Sequence, residues 1–596
     1  MSTTTEITPE QKIRNKKIAQ AKSAIESFLR ELNINKILYV DDKCSINDLK
    51  EIFIGNLLIL KRDNPKEELF GSWSGSNIAF KSRVTKLWDD GSEAEKRELY
   101  VKLLEFEGNQ EDIENSMAPL KLKEHLGNKI DLFSPTEWVN QKDAIFARLN
   151  SDSKVLCLFD IDFGTAPPPD GRDGKDLAVE VLSIDAISDF VYCGIFSHLF
   201  NVSQEFEQRN EISESHSLDK NKFYTISKKR FTASDYLPAL AEGIRNTLLI
   251  SEIEYLKKES TAIIKSSFNK SLKELKELTP DTFNHIIQKS SKKEGNWEMT
   301  NLLRINSIIN TDKSLHNLLS KSKREKINKS LSKIRRVEKI KTGGDTPYDK
   351  DQIISLRKRE IFVDAKILNE LHFPISNGDI FRVEDKNYIL LGQPCNLALR
   401  SSGKRDIRGG QIFSTAFLLE IEVVENSVLS KVAKNQLLTM GFIEKTDIPN
   451  DKSKIIRFPL FKTISLAPLD LTVFNSNGIA SIDLNQEECS SQTLQDSWKV
   501  RYIQLHKQFS NYRDNIRIFK KLKSTEKDNL KNSIYYGSIF KGFKINNEEC
   551  LNARSTKLTL NIERTGHYKS PYSADLLQQF MNYLSRNAFE RNFLND

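Results

Sequence analysis

The sequence predicts an α/β protein: a five-stranded parallel, doubly wound domain, then a helical connector and an α+β C-terminal domain. Three observations carry this. Short apolar runs such as VLCLF and VYCGIF lack alternation, as strands buried on both faces do. Stretches of helical periodicity separate them, and parallel strands need such crossovers. After about residue 361 the texture changes to closely spaced strand-like runs, and no internal repeat is visible.

Residues 10–33 space their apolar positions at three and four and read as a helix. KILYV (36–40) is the first strand and stops on two adjacent acids, Asp41 and Asp42. From about 47 to 126 the pattern is mostly helical. NKIDLFS (128–134) reads as the second strand, with PTEWVNQKDAIFARLN as the helix after it. KVLCLFDID (154–162) is the third, apolar until Asp160; the loop GTAPPPDGRDG then leads into the helix KDLAVEVLSIDA. DFVYCGIFSH (189–198) and KFYTIS (222–227) complete the set.

Residues 233–320 read as helices, the basic run 321–341 follows, and TGGDTP (342–347) reads as a break. The C-terminal strands are expected in DIFRVEDKNYILLGQPCNLAL, STAFLLEIEVVE, KIIRFPLFKTISL and LDLTVFNSNGIASIDL, with helices in SWKVRYIQLHKQFSNYRDNIRIFKKLK and YSADLLQQFMNYLSRNAF. The expected boundaries are an N-terminal helix at 1–33, the parallel domain at 34–235 with an insertion at about 47–127, the connector at 236–345 and the α+β domain at 346–596.

Composition narrows the class. Apolar residues make up 38% and charged residues 29% of the 596, as in a soluble globular protein. No run approaches the ~20 apolar residues of a membrane span, and the first twenty residues carry no apolar signal core, so a cytoplasmic, non-membrane protein is expected. The six cysteines are scattered, without zinc-ligand spacing, which suits a reducing compartment. The net charge of +8 is local: residues 321–341 hold ten Lys or Arg against two Glu, so the rest is near neutral. That run could contact nucleic-acid phosphates, although it lacks an aromatic residue for base stacking, and its plainer reading is a solvated helix or connector.

The strand ends carry the chemistry. In open parallel sheets ligands sit at the carboxyl ends of strands. The first strand ends on Asp41 and Asp42, the third on Asp160, the fourth on Ser197 and the fifth on Lys228. Two adjacent acids repel each other unless a cation sits between them, so a metal or a lysine is expected there.

In motif order, strand placement and residue type, residues 34–235 resemble the receiver domain of response regulators, with a helical insertion between the first two strands. The resemblance implies a phosphoryl group accepted on Asp160 from a phosphohistidine. It implies Mg²⁺ held by Asp41, Asp42, Asp160 and the backbone carbonyl of Asp162. Lys228 would pair with Asp160 and then with the phosphoryl group, and Ser197 would donate a hydrogen bond to it. This implies signalling rather than an enzyme's turnover: a histidine kinase or related ATPase as partner, and an output through the C-terminal domain. Large receivers fused to unusual output modules look similar to proteins of bacterial anti-phage systems.

The sequence departs from the receiver pattern at His198, where a small residue is usual; at Lys229, where proline usually follows the lysine; and in a longer loop carrying Pro167, Pro168 and Pro169. The alternative is a non-enzymatic adaptor whose receiver-like scaffold is inert and binds a protein partner or nucleic acid. GSWSGS (71–76) and GRDGKD (171–176) match no phosphate-binding glycine loop and read as turns. Cys395, after Pro394, reads as a buried cysteine at a strand end, because nothing in its spacing to His372 or His506 supports a nucleophile.

Overall fold

The computed structural model describes residues 8–59, 76–107, 119, 122–164, 168, 170–230, 236–294, 296–344, 348–405, 413–432, 437–445, 448–489, 491, 493–527, 538–543 and 556–585. Two units form: residues 1–267 with 314–348, and residues 268–313 with 349–596. The connector expected at 236–345 therefore divides between them.

In the first unit the five apolar runs become β1 (Ile34–Val40), β2 (Ile130–Phe133), β3 (Lys154–Asp160), β4 (Val191–Ser197) and β5 (Phe223–Ser227). They form one all-parallel sheet in the order β2-β1-β3-β4-β5. Side chains alternate between faces along a strand, so each run feeds two cores. Ile37, Tyr39, Leu156, Leu158, Phe196 and Ile226 face one way. Leu38, Val40, Val155, Cys157, Phe159 and Ile195 face the other.

Helices close both faces. The first face receives Ala24, Ile25 and Phe28 of helix Pro9–Glu31, Leu240, Ile244 and Leu248 of helix Tyr236–Glu277, and Val337 of helix Lys321–Glu338. The second receives Trp138 of helix Pro135–Phe146, Leu177 and Val181 of helix Gly174–Leu182, and Ile212 of helix Glu205–Ser215. The insertion between β1 and β2 builds its own small core, with Phe53, Phe80, Val84, Trp88 and Leu103 from helices Lys50–Ile59, Asn77–Asp90 and Glu93–Glu107. Of GSWSGS, residues 71–75 lie outside the described residues, as do Pro167 and Pro169; Ser76 caps helix Asn77–Asp90.

The basic run 321–341 begins with helix Lys321–Glu338, and one side of that helix is structural. Val337 is buried in the first face's core, and Lys333 donates to Glu252 at 2.9 Å and lies over the Tyr192 ring. Lys323, Arg324, Lys326 and Arg335 are exposed.

The second unit is built on a nine-stranded antiparallel sheet. Its strands are β6 (Phe362–Asp364), β7 (Asp379–Val383), β8 (Lys386–Leu391), β9 (Thr415–Glu425), β10 (Met440–Ile443), β11 (Lys452–Arg457), β12 (Lys462–Ser465), β13 (Ile479–Asp483) and β14 (Lys557–Tyr568). The main path runs β10-β11-β9-β8-β7-β14-β13, with β12 on β9 and β6 on β14. Helix Asp496–Lys520 packs Trp498, Leu505 and Phe509 into one core, and helix Tyr572–Leu584 packs Leu576 and Phe580 into another. Two buried acids pair with this unit's buried arginines. Asp470 accepts from Arg405 and Arg501, while Asp379 accepts from His567 and pairs with Arg564.

Two readings need correction. LDLTVF (469–474) ends the helix Leu466–Asp470 and continues as a tight turn over Leu471–Phe474, in a segment that Ser465 caps with an acceptor for Ala467 N–H. Cys395 is exposed on the one-turn helix Pro394–Leu397, not buried at a strand end. Among the described residues no helix is long and apolar enough to cross a membrane.

Candidate functional site

The strand order fixes where a site can form. In order 2-1-3-4-5 the chain reverses its direction of winding between β1 and β3, and crossovers leave the two strands toward opposite faces. A site can therefore form outside their carboxyl ends. Val40 pairs with Phe159 in the ladder, which sets Asp41 beside Asp160 at that edge.

Each acid is held by its own loop. Asp41 donates its N–H to Phe133 O, accepts Lys43 N–H on Oδ1 at 2.9 Å and accepts the Tyr39 hydroxyl on Oδ2 at 2.7 Å. The loop is also clamped from the insertion: the buried Arg97 guanidinium donates to Cys44 O at 2.8 Å and to Lys43 O at 3.3 Å. Asp160 is the last residue of β3, and helix Gly174–Leu182 starts against it. Gly174 donates to Ile161 O, and a Cβ on Gly174 would lie 1.5 Å from the Asp160 carbonyl oxygen. Glycine is required there by close approach. Gly174→Ala is expected to destabilise this unit by about 1–3 kcal/mol through forced displacement of the helix. Urea unfolding followed by tryptophan fluorescence measures it, and an unchanged midpoint would refute the contact.

Lys228 closes the site from the end of β5. Its Nζ lies 2.6 Å from Asp41 Oδ2 and 2.6 Å from Asp160 Oδ2. The backbone that aims it is tied down just before: Ser227 donates its N–H to Glu205 and its hydroxyl to Phe200 O. Asp41, Asp42 and Asp160 are all buried, with carboxylate oxygens within 4.8 Å of one another.

The electrostatics are unbalanced. Three carboxylates against one ammonium leave two negative charges in excess, and such charges are costly away from water. Burial, opposed by Lys228 and reinforced by Asp41 and Asp42, raises the Asp160 carboxyl to about 7. Burial also pulls Asp41 upward, but Lys228 and the Lys43 backbone outweigh it and hold Asp41 well below the usual carboxylate range. Lys228 is destabilised by burial, yet the two carboxylates keep it protonated, above the usual lysine range.

Asp160 Oδ1 is buried and has no hydrogen-bond partner among the described residues. Three oxygen donors, one with an open lone pair, suit a hard divalent cation. The site could hold one.

Ser197 ends β4, one residue past Phe196, the ladder partner of Asp160; it is fully buried, and its Oγ accepts Leu199 N–H at 3.0 Å. His198 is half-buried beside it and Asp162 is exposed in the loop after β3. So Asp41, Asp42, Asp160 and Lys228 converge directly, and Ser197 lies at the same edge. Tyr39, Arg97 and Glu205 support them but are hidden in sequence: Tyr39 reads as one more apolar strand residue, and Arg97 sits in a charged helix 55 positions past Asp42. Compared with models of protein families, with curated proteins and with solved structures, the chain matches none.

Proposed function

We propose that the parallel-sheet unit is a phosphoacceptor of the response-regulator receiver type, with Asp160 as the accepting carboxylate, in a signalling protein whose second unit is the output. The observation that supports it is the open Oδ1 of Asp160 beside two further acids, while Lys228 grips Oδ2. The donor is a phosphohistidine of a histidine kinase or related ATPase partner. An Asp160 oxygen forms the new P–O bond as the donor's P–N bond breaks, and the imidazole nitrogen keeps the electron pair. Lys228 then faces an acyl phosphate in place of a carboxylate. The Ser197 hydroxyl donates to a phosphoryl oxygen while still accepting from Leu199, since a hydroxyl can do both.

Asp41, Asp42, Asp160 and the Asp162 carbonyl would hold Mg²⁺. It would supply positive charge opposite the phosphoryl oxygens.

The full chain with Mg²⁺ and labelled acetyl phosphate tests this. Wild type is expected to take up hydroxylamine-labile label, Asp160→Asn none, and beryllofluoride with Mg²⁺ to raise the wild-type melting temperature only. Failure of both label and beryllofluoride shift in wild type would leave an inert scaffold that docks partners.

A further inference from the structure

The second unit contains a cavity of about 670 Å³ that the phosphoacceptor reading does not use. It lies on the sheet face where Ile380, Ile421 and Ile443 point, walled by Phe362 and the residues around it at the end of helix Lys350–Ile361. Helix Tyr572–Leu584 covers the neighbouring part of that face with Leu576 and Phe580 but leaves this part open. The volume falls within the ~300–1,000 Å³ of small-molecule sites. At its mouth Ile367 and Val423 remain about half exposed.

The charges around the apolar floor are one-sided. Lys358, Arg359, Lys454 and Lys569 line it against a single acid, Asp364. Asp364 is already engaged, capping the helix Ala365–Glu370 by accepting Lys366 N–H at 2.8 Å. Elsewhere this sheet neutralises its cations across strands: Lys386 with Glu420 at 2.7 Å, Arg457 with Glu422 at 3.0 Å, and Arg382 with Glu563. Lys358 and Arg359 have no such carboxylate among the described residues, and Lys569 donates to the Arg359 backbone carbonyl. Lys358 and Arg359 thus keep positive charge beside apolar surface, a combination that a solvated face or a filled core does not need.

We propose that this cavity binds a small amphiphile: one apolar body, seated on Ile380, Ile421 and Ile443, with a carboxylate or phosphate head held by Lys358 and Arg359. Burial of the body supplies the driving force, and the cations select the head and its orientation.

Calorimetric titration of the full chain with monomeric decanoate and decyl phosphate tests it. Saturable 1:1 binding of at least one, with a negative heat-capacity change, is expected. The neutral probe decanol should bind at least about tenfold more weakly. Lys358→Glu with Arg359→Glu should weaken the anion by about tenfold or more while leaving decanol unchanged. Val423→Trp, which fills the mouth, should weaken all probes; melting curves of both variants establish that they fold. No saturable binding, equal binding of decanol, or indifference to both variants overturns the proposal. So does association with phosphatidylglycerol vesicles without binding of either monomeric anion, which would assign the charges to a lipid surface.

Discussion

Replacing Lys228 by methionine is expected to lower the melting temperature of the metal-free parallel-sheet unit by on the order of 10 °C. The side chain sits between Asp41 and Asp160 at 2.6 Å from each and is almost wholly buried. Methionine keeps much of the volume and removes the charge, so what is lost is the counter-ion to three buried carboxylates. Breaking one partner from a buried ion pair costs about 3–5 kcal/mol, and each kcal/mol moves a domain of this size by about 2–4 °C. Mg²⁺ should stabilise the variant more than the wild type, because a cation in the acid cluster would replace the missing charge. Calorimetry of both proteins with and without the metal reads the difference. An unchanged metal-free melting temperature would mean that the acids are neutralised some other way.

Asp470→Asn is expected to destabilise the antiparallel unit by about 3–5 kcal/mol at neutral pH. Asp470 is fully buried and accepts from Arg405 at 2.6 and 2.8 Å and from Arg501 at 2.9 Å. Asparagine is nearly isosteric but leaves two guanidinium groups without a counter-charge. The pH dependence follows from the carboxyl's shift. Burial would raise it, but Arg405 and Arg501 more than offset that and hold it below its ordinary value. A depressed folded-state pKa means stability that is present above the unfolded value of about 3.9 and lost as pH falls toward the folded one. The gap between wild type and variant should therefore stay flat from neutral pH down to about 5 and narrow below about 4. Urea unfolding across that range measures it; a gap that widens in acid would reverse the assignment.

The parallel sheet was legible because its strands are buried on both faces, so KVLCLF and VYCGIF spell out apolar runs and the polar residue that ends each one marks the open edge. The same logic located Asp41, Asp42, Asp160, Ser197 and Lys228. It failed where side chains are buried as ion pairs. Residues 557–568 form β14, paired with β7, β13 and β6 in the antiparallel sheet, yet no strand is expected there from KLTLNIERTGHY. Its inward positions run Leu558, Leu560, Ile562 and then Arg564, and the Asp379 carboxylate with the Phe373 and Pro374 carbonyls makes that arginine an interior residue. Nor does periodicity name partners. The pattern at 10–33 shows an apolar face and 321–341 reads as a basic run, and neither says that both cover the same sheet face. Arg97 is invisible for a related reason: its acceptors are backbone carbonyls of Lys43 and Cys44, which leave no trace in residue type.

The division of the chain has a consequence for the order of synthesis. The chain leaves the first unit after residue 267, returns to it at 314 and leaves again after 348. The first face of the parallel sheet is therefore unfinished when β5 emerges from the ribosome. Leu240, Ile244 and Leu248 arrive soon after, but Val337 follows only when about ninety more residues have been made, roughly 5–20 s at ordinary elongation rates. Through that interval the nascent chain exposes part of an apolar sheet face, a target for a holding chaperone. Cleavage or termination at residue 235 would make the exposure permanent. The acid cluster would then be complete in sequence, yet its sheet would lack the helices that close one side.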